Sequence, residues 1–160
     1  MNDSARGPIL LAFDGSDNAA LAIAKAAELF KAHEAVVLSV WDSMPLWQPY
    51  DPATIIEAPV SRLAAQELRL DELVLEAARE EAARGATLAS QAGFAAQPRV
   101  ERGKAWRVIC DVAVDIDALA VVMGARGLSR VGSLLLGSVS NAVVVHCTRP
   151  VLVVPHAATG

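Results

Sequence analysis

Apolar positions follow two rhythms along this chain. Short apolar runs recur at Ile9 to Phe13, Ala35 to Trp41 (interrupted only by Ser39), Ala118 to Met123 and Val151 to Val154, with a weaker run at Ala95 to Glu101. Such runs predict strands covered on both faces, as in a parallel sheet. Between them the spacing turns helical. A helix from about Asn18 to Ala32 carries Ile23, Ala26, Ala27 and Phe30 on one face and Lys25, Glu28 and Lys31 on the other, with Leu21 outside the stripe. Ser16 or Asp17 is placed to cap it. From Ser61 to about Ala92 a longer helix is predicted. Its stripe is Leu63, Leu70, Val74, Ala77 and Ala78, and Glu72, Glu76, Arg79, Glu80 and Arg84 form a solvated face. Gly85 should weaken or bend this helix, and Gly93 should end it. Trp106, Ile109, Cys110 and Ala113 mark a third helix, and Ser138 to His146 a fourth, broken by Arg149-Pro150.

Strand and helix alternate throughout. The expectation is an α/β fold, a five-stranded parallel sheet with helices on both faces, in one domain spanning residues 1–160 with its core at about 7–155. Pro98 puts its strand at a sheet edge. The segment from Asp42 to Pro59 holds Pro45, Pro49, Pro52 and Pro59 and reads as a long loop pinned by Trp47 and Tyr50. The tail, His156 to Gly160, is expected to lack order.

Composition narrows the classes. Hydrophobic residues make up 54% and aromatics 4% of 160 residues, so the core is aliphatic. A net charge of −4 disfavours general binding to nucleic acid or to an anionic membrane. No apolar run approaches the ~20 residues that span a bilayer, and the first eight residues lack the apolar core of a signal peptide. A soluble cytoplasmic protein is expected. Cys110 and Cys147, without CxxC spacing, read as reduced core thiols.

Candidate chemistry concentrates in GARGLSRVGSLLLGSVS, Gly124 to Ser140. It has glycines, serines, Arg126 and Arg130, and no acid. A strand runs into it and a helix starts from it. Glycines let backbone N–H groups approach an anion, and the helix start adds unpaired donors and the positive end of its dipole. Gly127 to Ser133 and Gly132 to Ser138 space two glycines as a P-loop would, yet both lack its lysine. Nucleotide binding without a phosphoryl-transfer engine follows. Asp14, at the end of the first strand, is a candidate for a ribose hydroxyl or a metal-bound water; its plainer role is a turn residue in Asp14-Gly15-Ser16-Asp17. His33, His146 and His156 are scattered, His146 suiting a helix C-terminus, and no catalytic constellation stands out.

ILLAFDGSDNA at 9–19, VVMGARG at 121–127 and GSVSNAVVVHCTRPVLVVP at 137–155 resemble the universal stress protein family. The pattern G-x2-G-x9-G-[ST] is met by Gly124, Gly127, Gly137 and Ser138, and the resemblance extends over about residues 7–155. It implies a flavodoxin-like or adenine-nucleotide α-hydrolase-like fold of strand order 3-2-1-4-5. It implies ATP, with Mg²⁺, as ligand. Ala12, Asp14, Val40 and Met123 would line the adenine and ribose side. Gly124, Arg126, Gly127, Gly137, Ser138, Val139 and Ser140 would line the ribose and phosphate side. It also implies a homodimer paired through the last strand, Val151 to Val154. The family often has proline where this chain has Ala105. Three functions remain open at this level: an ATP-binding stress-response regulator with little or no hydrolysis, an ATP-hydrolysing or nucleotidyl-transferring enzyme, and a nucleotide-independent interaction protein.

Overall fold

The computed structural model describes residues 7–30, 33–42, 60–125 and 136–155, with only the backbone described over 60–67. The elements are β1 (Ile9–Ala12), α1 (Asp17–Leu29), β2 (Glu34–Trp41), α2 (Val60–Gln91), β3 (Ala95–Arg102), α3 (Ala105–Asp115), β4 (Ala120–Gly124), α4 (Ser138–His146) and β5 (Val151–Val154). They form a five-stranded sheet of order β3-β2-β1-β4-β5, parallel at every pairing. The expected order 3-2-1-4-5 holds, and β3 with Pro98 lies at an edge.

Alternation along the strands divides the core in two. Ile9, Leu11, Phe13 and Val122 face α1 and α2, packing with Ala22, Ile23, Ala26, Ala86 and Ala89. Leu10, Leu38, Val121 and Met123 face α3 and α4, packing with Ile109, Val112, Ala113 and Val143. Both faces of β1 are sealed, which is why its run has no polar position. Small residues on the helices let them lie close to the aliphatic strands, and burial of the strand side chains supplies the main driving force.

Helix α2 departs from the expected stripe. Ala78 is buried, but Leu70 and Val74 are 47% and 39% exposed and Ala77 is exposed; Leu63 lies outside the described side chains. The buried stripe is Ala78, Ala82, Gly85, Ala86 and Ala89. Length explains the difference. A helix of 32 residues is about 48 Å long, whereas an eight-residue strand such as β2 is about 26 Å. Among the described side chains of α2, the buried ones begin at Ala78. Gly85 neither ends nor breaks the helix. It is the point of closest approach: a Cβ there would lie 2.7 Å from the Phe13 ring and 2.8 Å from a Val37 methyl.

Other boundaries shift slightly. α1 ends at Leu29 rather than about Ala32. β4 begins at Ala120 rather than Ala118, because Asp117 takes a left-handed conformation (φ 52°) and the Ala118 N–H donates back to the Ala113 carbonyl. Trp47, Tyr50, most of the loop 42–60 and the tail 156–160 lie outside the described residues. Among the described residues, no helix is long and apolar enough to cross a membrane.

Candidate functional site

The strand order reverses between β1 and β4, so a crevice opens beyond their carboxyl ends. Local sequence builds its walls. At the exit of β1, the Phe13 N–H donates to the Leu38 carbonyl and the Ser39 hydroxyl donates to the Phe13 carbonyl, both at 2.9 Å. The turn that follows is held by Asp14, whose Oδ1 accepts from the Ser16 N–H at 3.1 Å. Ser16 then caps α1, its Oγ accepting from the Ala19 N–H at 3.1 Å. Gly15 sits at φ +79°, in the left-handed region where glycine is favoured. At the exit of β4, Gly124 faces the first turn of α1, where a Cβ would lie 2.5 Å from the Asn18 amide nitrogen. Glycine is required there for α1 to press against the strand.

The crevice is a cavity of about 440 Å³, a size that suits a small organic ligand. One wall is apolar: Ala12, Leu38, Val40, Ile109, Met123 and Val139. The rim is polar. In one part of it Gly124, Gly137, Ser138 and Ser140 meet where α4 begins. Gly137 is the N-cap, and no side chain caps α4. The first-turn N–H groups of that helix therefore face the cavity with the positive end of its dipole. Ser140 is buried. Its hydroxyl lies 2.7 Å from the Ala125 carbonyl oxygen and 3.0 Å from that of Gly137, while the Gly137 N–H donates to the same Ala125 carbonyl at 2.7 Å. Ser140 thus ties the exit of β4 to the start of α4, and its proton is already committed.

Another part of the lining is acidic. Asp14 meets Glu81, a residue of α2 that also lines the cavity. Burial, then the Asp14 charge, push the Glu81 carboxyl above its ordinary range; Arg84 pulls the other way. Arg84 donates to the Gly15 carbonyl at 3.0 Å and lies 5.6 Å over the Phe13 ring. It is therefore a clamp between α2 and the β1 turn, not simply part of a solvated face.

Of the expected site residues, Ala12, Asp14, Val40, Met123, Gly124, Gly137, Ser138, Val139 and Ser140 all line this one cavity. Arg126 and Gly127 lie outside the described residues. Among the lining residues that sequence reasoning missed are Leu38, Ile109 and Glu81. The first two were readable as apolar positions, but nothing marked them as cavity-facing. Glu81 had no signal, because it sits within a charge run that resembles any solvated helix face. His146 is at the α4 C-terminus as expected and also stacks against Trp106, centroids 4.8 Å apart. The two thiols are half-buried and near each other, Cys110 on α3 and Cys147 just past α4. Among the described residues, no group of three potential ligands could hold a metal ion.

The chain matches the universal stress protein family over residues 6–155. It is 35% identical over 147 residues to the Thermus aquaticus protein named "Universal stress protein in QAH/OAS sulfhydrylase 3'region", a match covering 91% of this chain and 96% of that one. Among solved structures, hypothetical protein MJ0577 has a TM-score of 0.73 at 24% identity, over 93% of this chain and 95% of the other. The universal stress protein from Archaeoglobus fulgidus in complex with dAMP has a TM-score of 0.59 at 20% identity, over 92% of this chain and 96% of the other.

Proposed function

The chain belongs to the universal stress protein family, and from that premise we propose that it is a cytoplasmic regulatory module that binds ATP and hydrolyses it little or not at all. The observation that carries this reading is the pairing of an uncapped α4 N-terminus with an apolar wall across one cavity. A flat apolar base fits between Val40, Leu38, Ile109 and Met123. Its phosphates fit the α4 end, where Ser138 and Val139 supply backbone donors and Ser138 a hydroxyl, and Gly124 leaves room. By the family pattern, Arg126 and Gly127 extend the phosphate cradle. The dAMP held by the Archaeoglobus relative supports an adenine nucleotide as ligand class. Mg²⁺ fits best as the counter-ion of the phosphates, since the carboxylates among the described lining residues are the Asp14–Glu81 pair, short of a three-ligand site.

The reading includes a homodimer through β5. Val121 N–H donates to the Pro150 carbonyl and Ala125 N–H to the Val154 carbonyl. With a period of two, Val151 and Val153 turn their backbone groups to the open sheet edge, a template for a second β5.

The test is calorimetric titration of nucleotide-free protein with ATP and Mg²⁺, using wild type and Gly137→Asp. Gly137 has φ −60° and ψ 160°, a conformation that aspartate adopts readily as a helix cap. The variant should fold at least as stably, with affinity for ATP lowered about 100-fold or more, because the carboxylate takes the N–H donors and repels phosphate. Equal affinity in the two proteins would refute the assigned phosphate end. Saturable binding near one ATP per chain in the wild type is the expected baseline.

A further inference from the structure

The acidic part of the cavity lining has chemistry of its own. Asp14 and Glu81 come from different elements, the β1 turn and α2, yet line the same space. Both lie at the β1 turn. Asp14 is fixed by the Ser16 N–H. The Glu81 carboxylate lies against the Cα of Gly15, where a Cβ would collide with it and with Arg84. Arg84, one turn along α2, anchors that helix to the Gly15 carbonyl. Gly85 brings the helix axis close enough to the sheet for this reach.

Two adjacent carboxylates accept hydrogen bonds and repel anions. They therefore select for ligand groups that donate, and against phosphate. On the reading that the cavity holds an adenine nucleotide, the phosphates go to α4 and the base to the apolar wall. The groups left to face Asp14 and Glu81 are the sugar hydroxyls, the donors between base and phosphate. We infer that Glu81 is a specificity-determining residue, acting with Asp14 to select nucleotides whose ribose carries a free 2′,3′-diol. This inference rests on the nucleotide reading above. It ranks ATP, ADP and AMP above their 2′- and 3′-deoxy analogues, and above nucleotides whose 3′-oxygen is tied up in a phosphate ester.

The experiment is a calorimetric cycle: wild type, Glu81→Ala and Glu81→Gln, each titrated with ATP, 2′-deoxy-ATP and 3′-deoxy-ATP, with Mg²⁺ and again with EDTA. In the wild type, losing a hydroxyl that donates to a charged acceptor should weaken binding by about tenfold or more. In Glu81→Ala, ATP affinity should fall while the affinity for at least one deoxy analogue stays at its wild-type value, so that the corresponding discrimination shrinks to about twofold. Glu81→Gln, which keeps a carbonyl acceptor, should fall between them. Equal losses for ATP and both analogues would mean a general structural effect and overturn the inference. So would discrimination unchanged by Glu81→Ala, or a loss seen only with Mg²⁺, which would assign the carboxylate to the cation. If the wild type binds none of the three, the nucleotide reading itself falls. If it binds ATP and Glu81 is indifferent, only this inference falls.

Discussion

Adding a single methyl group at Gly85 separates two physical accounts of this chain. On sequence alone, glycine in mid-helix is a defect, and Gly85→Ala should stabilise by about 1 kcal/mol through helix propensity. The packing says otherwise. The new Cβ would sit 2.7 Å from Phe13 Cδ1, 2.8 Å from Val37 Cγ1 and 2.9 Å from Phe13 Cγ. Neither neighbour can move away freely: Phe13 is 3% exposed and Val37 fully buried, and the Phe13 ring is covered by Arg84. Overpacking of this kind costs about 1–3 kcal/mol. Set against the propensity gain, the middle of that range leaves a net loss of about 1 kcal/mol. For a chain of 160 residues that lowers the thermal midpoint by about 3 °C. The assay is thermal and urea unfolding of wild type and Gly85→Ala. Ala83→Gly serves as control, at an exposed position in the same helix. The control should lose about 1 kcal/mol from propensity alone. If Gly85→Ala instead raised the midpoint by about 3 °C, the close approach of α2 to the sheet would be refuted, and with it the placement of Glu81 at the cavity.

Other outcomes follow from the same geometry. Val153→Pro removes an edge-facing donor while leaving the β4 ladder intact, so it should shift the protein from dimer to folded monomer in sedimentation; an unchanged dimer would exclude β5 as the interface. Glu81 has a folded-state pKa raised above the ordinary 4.5, so the native state holds its proton more tightly than the unfolded chain. Its contribution is most favourable at and below that value and is lost as pH rises through the folded pKa. The stability of Glu81→Gln relative to wild type should therefore climb above about pH 4.5 and then level off, read from urea midpoints across pH. Burial, then the neighbouring Cys147, push the Cys110 thiol from 9.0 up to about 11. Alkylation of Cys110 at pH 8, followed by mass spectrometry, should run about 100-fold slower than that of an ordinary thiol. A rate like that of a free thiol would contradict its burial.

The strands and their order of occurrence were legible in the chain itself, because a strand sealed on both faces can carry no polar rhythm. Ile9 to Leu11 and Val121 to Met123 declared themselves on that ground. The glycines of the loop after β4 were legible too, since strand, glycines and helix start is a local pattern; their match to a known family then supplied the sheet order. Contacts that join distant segments were not legible. Periodicity alone could not say that α2 outruns the sheet, so Leu70 and Val74 read as core and lie exposed. Gly85 read as a weak point because propensity is local, whereas its neighbours Phe13 and Val37 are far away in sequence. Arg84 read as a solvent charge, and Glu81 gave no signal, until folding set them against the turn at Gly15. Local sequence determined which elements form, and it carries the glycine pattern on which the proposed phosphate end rests. The tertiary structure alone decided which side chain meets which across the cavity, because burial and electrostatic proximity are properties of the assembled chain.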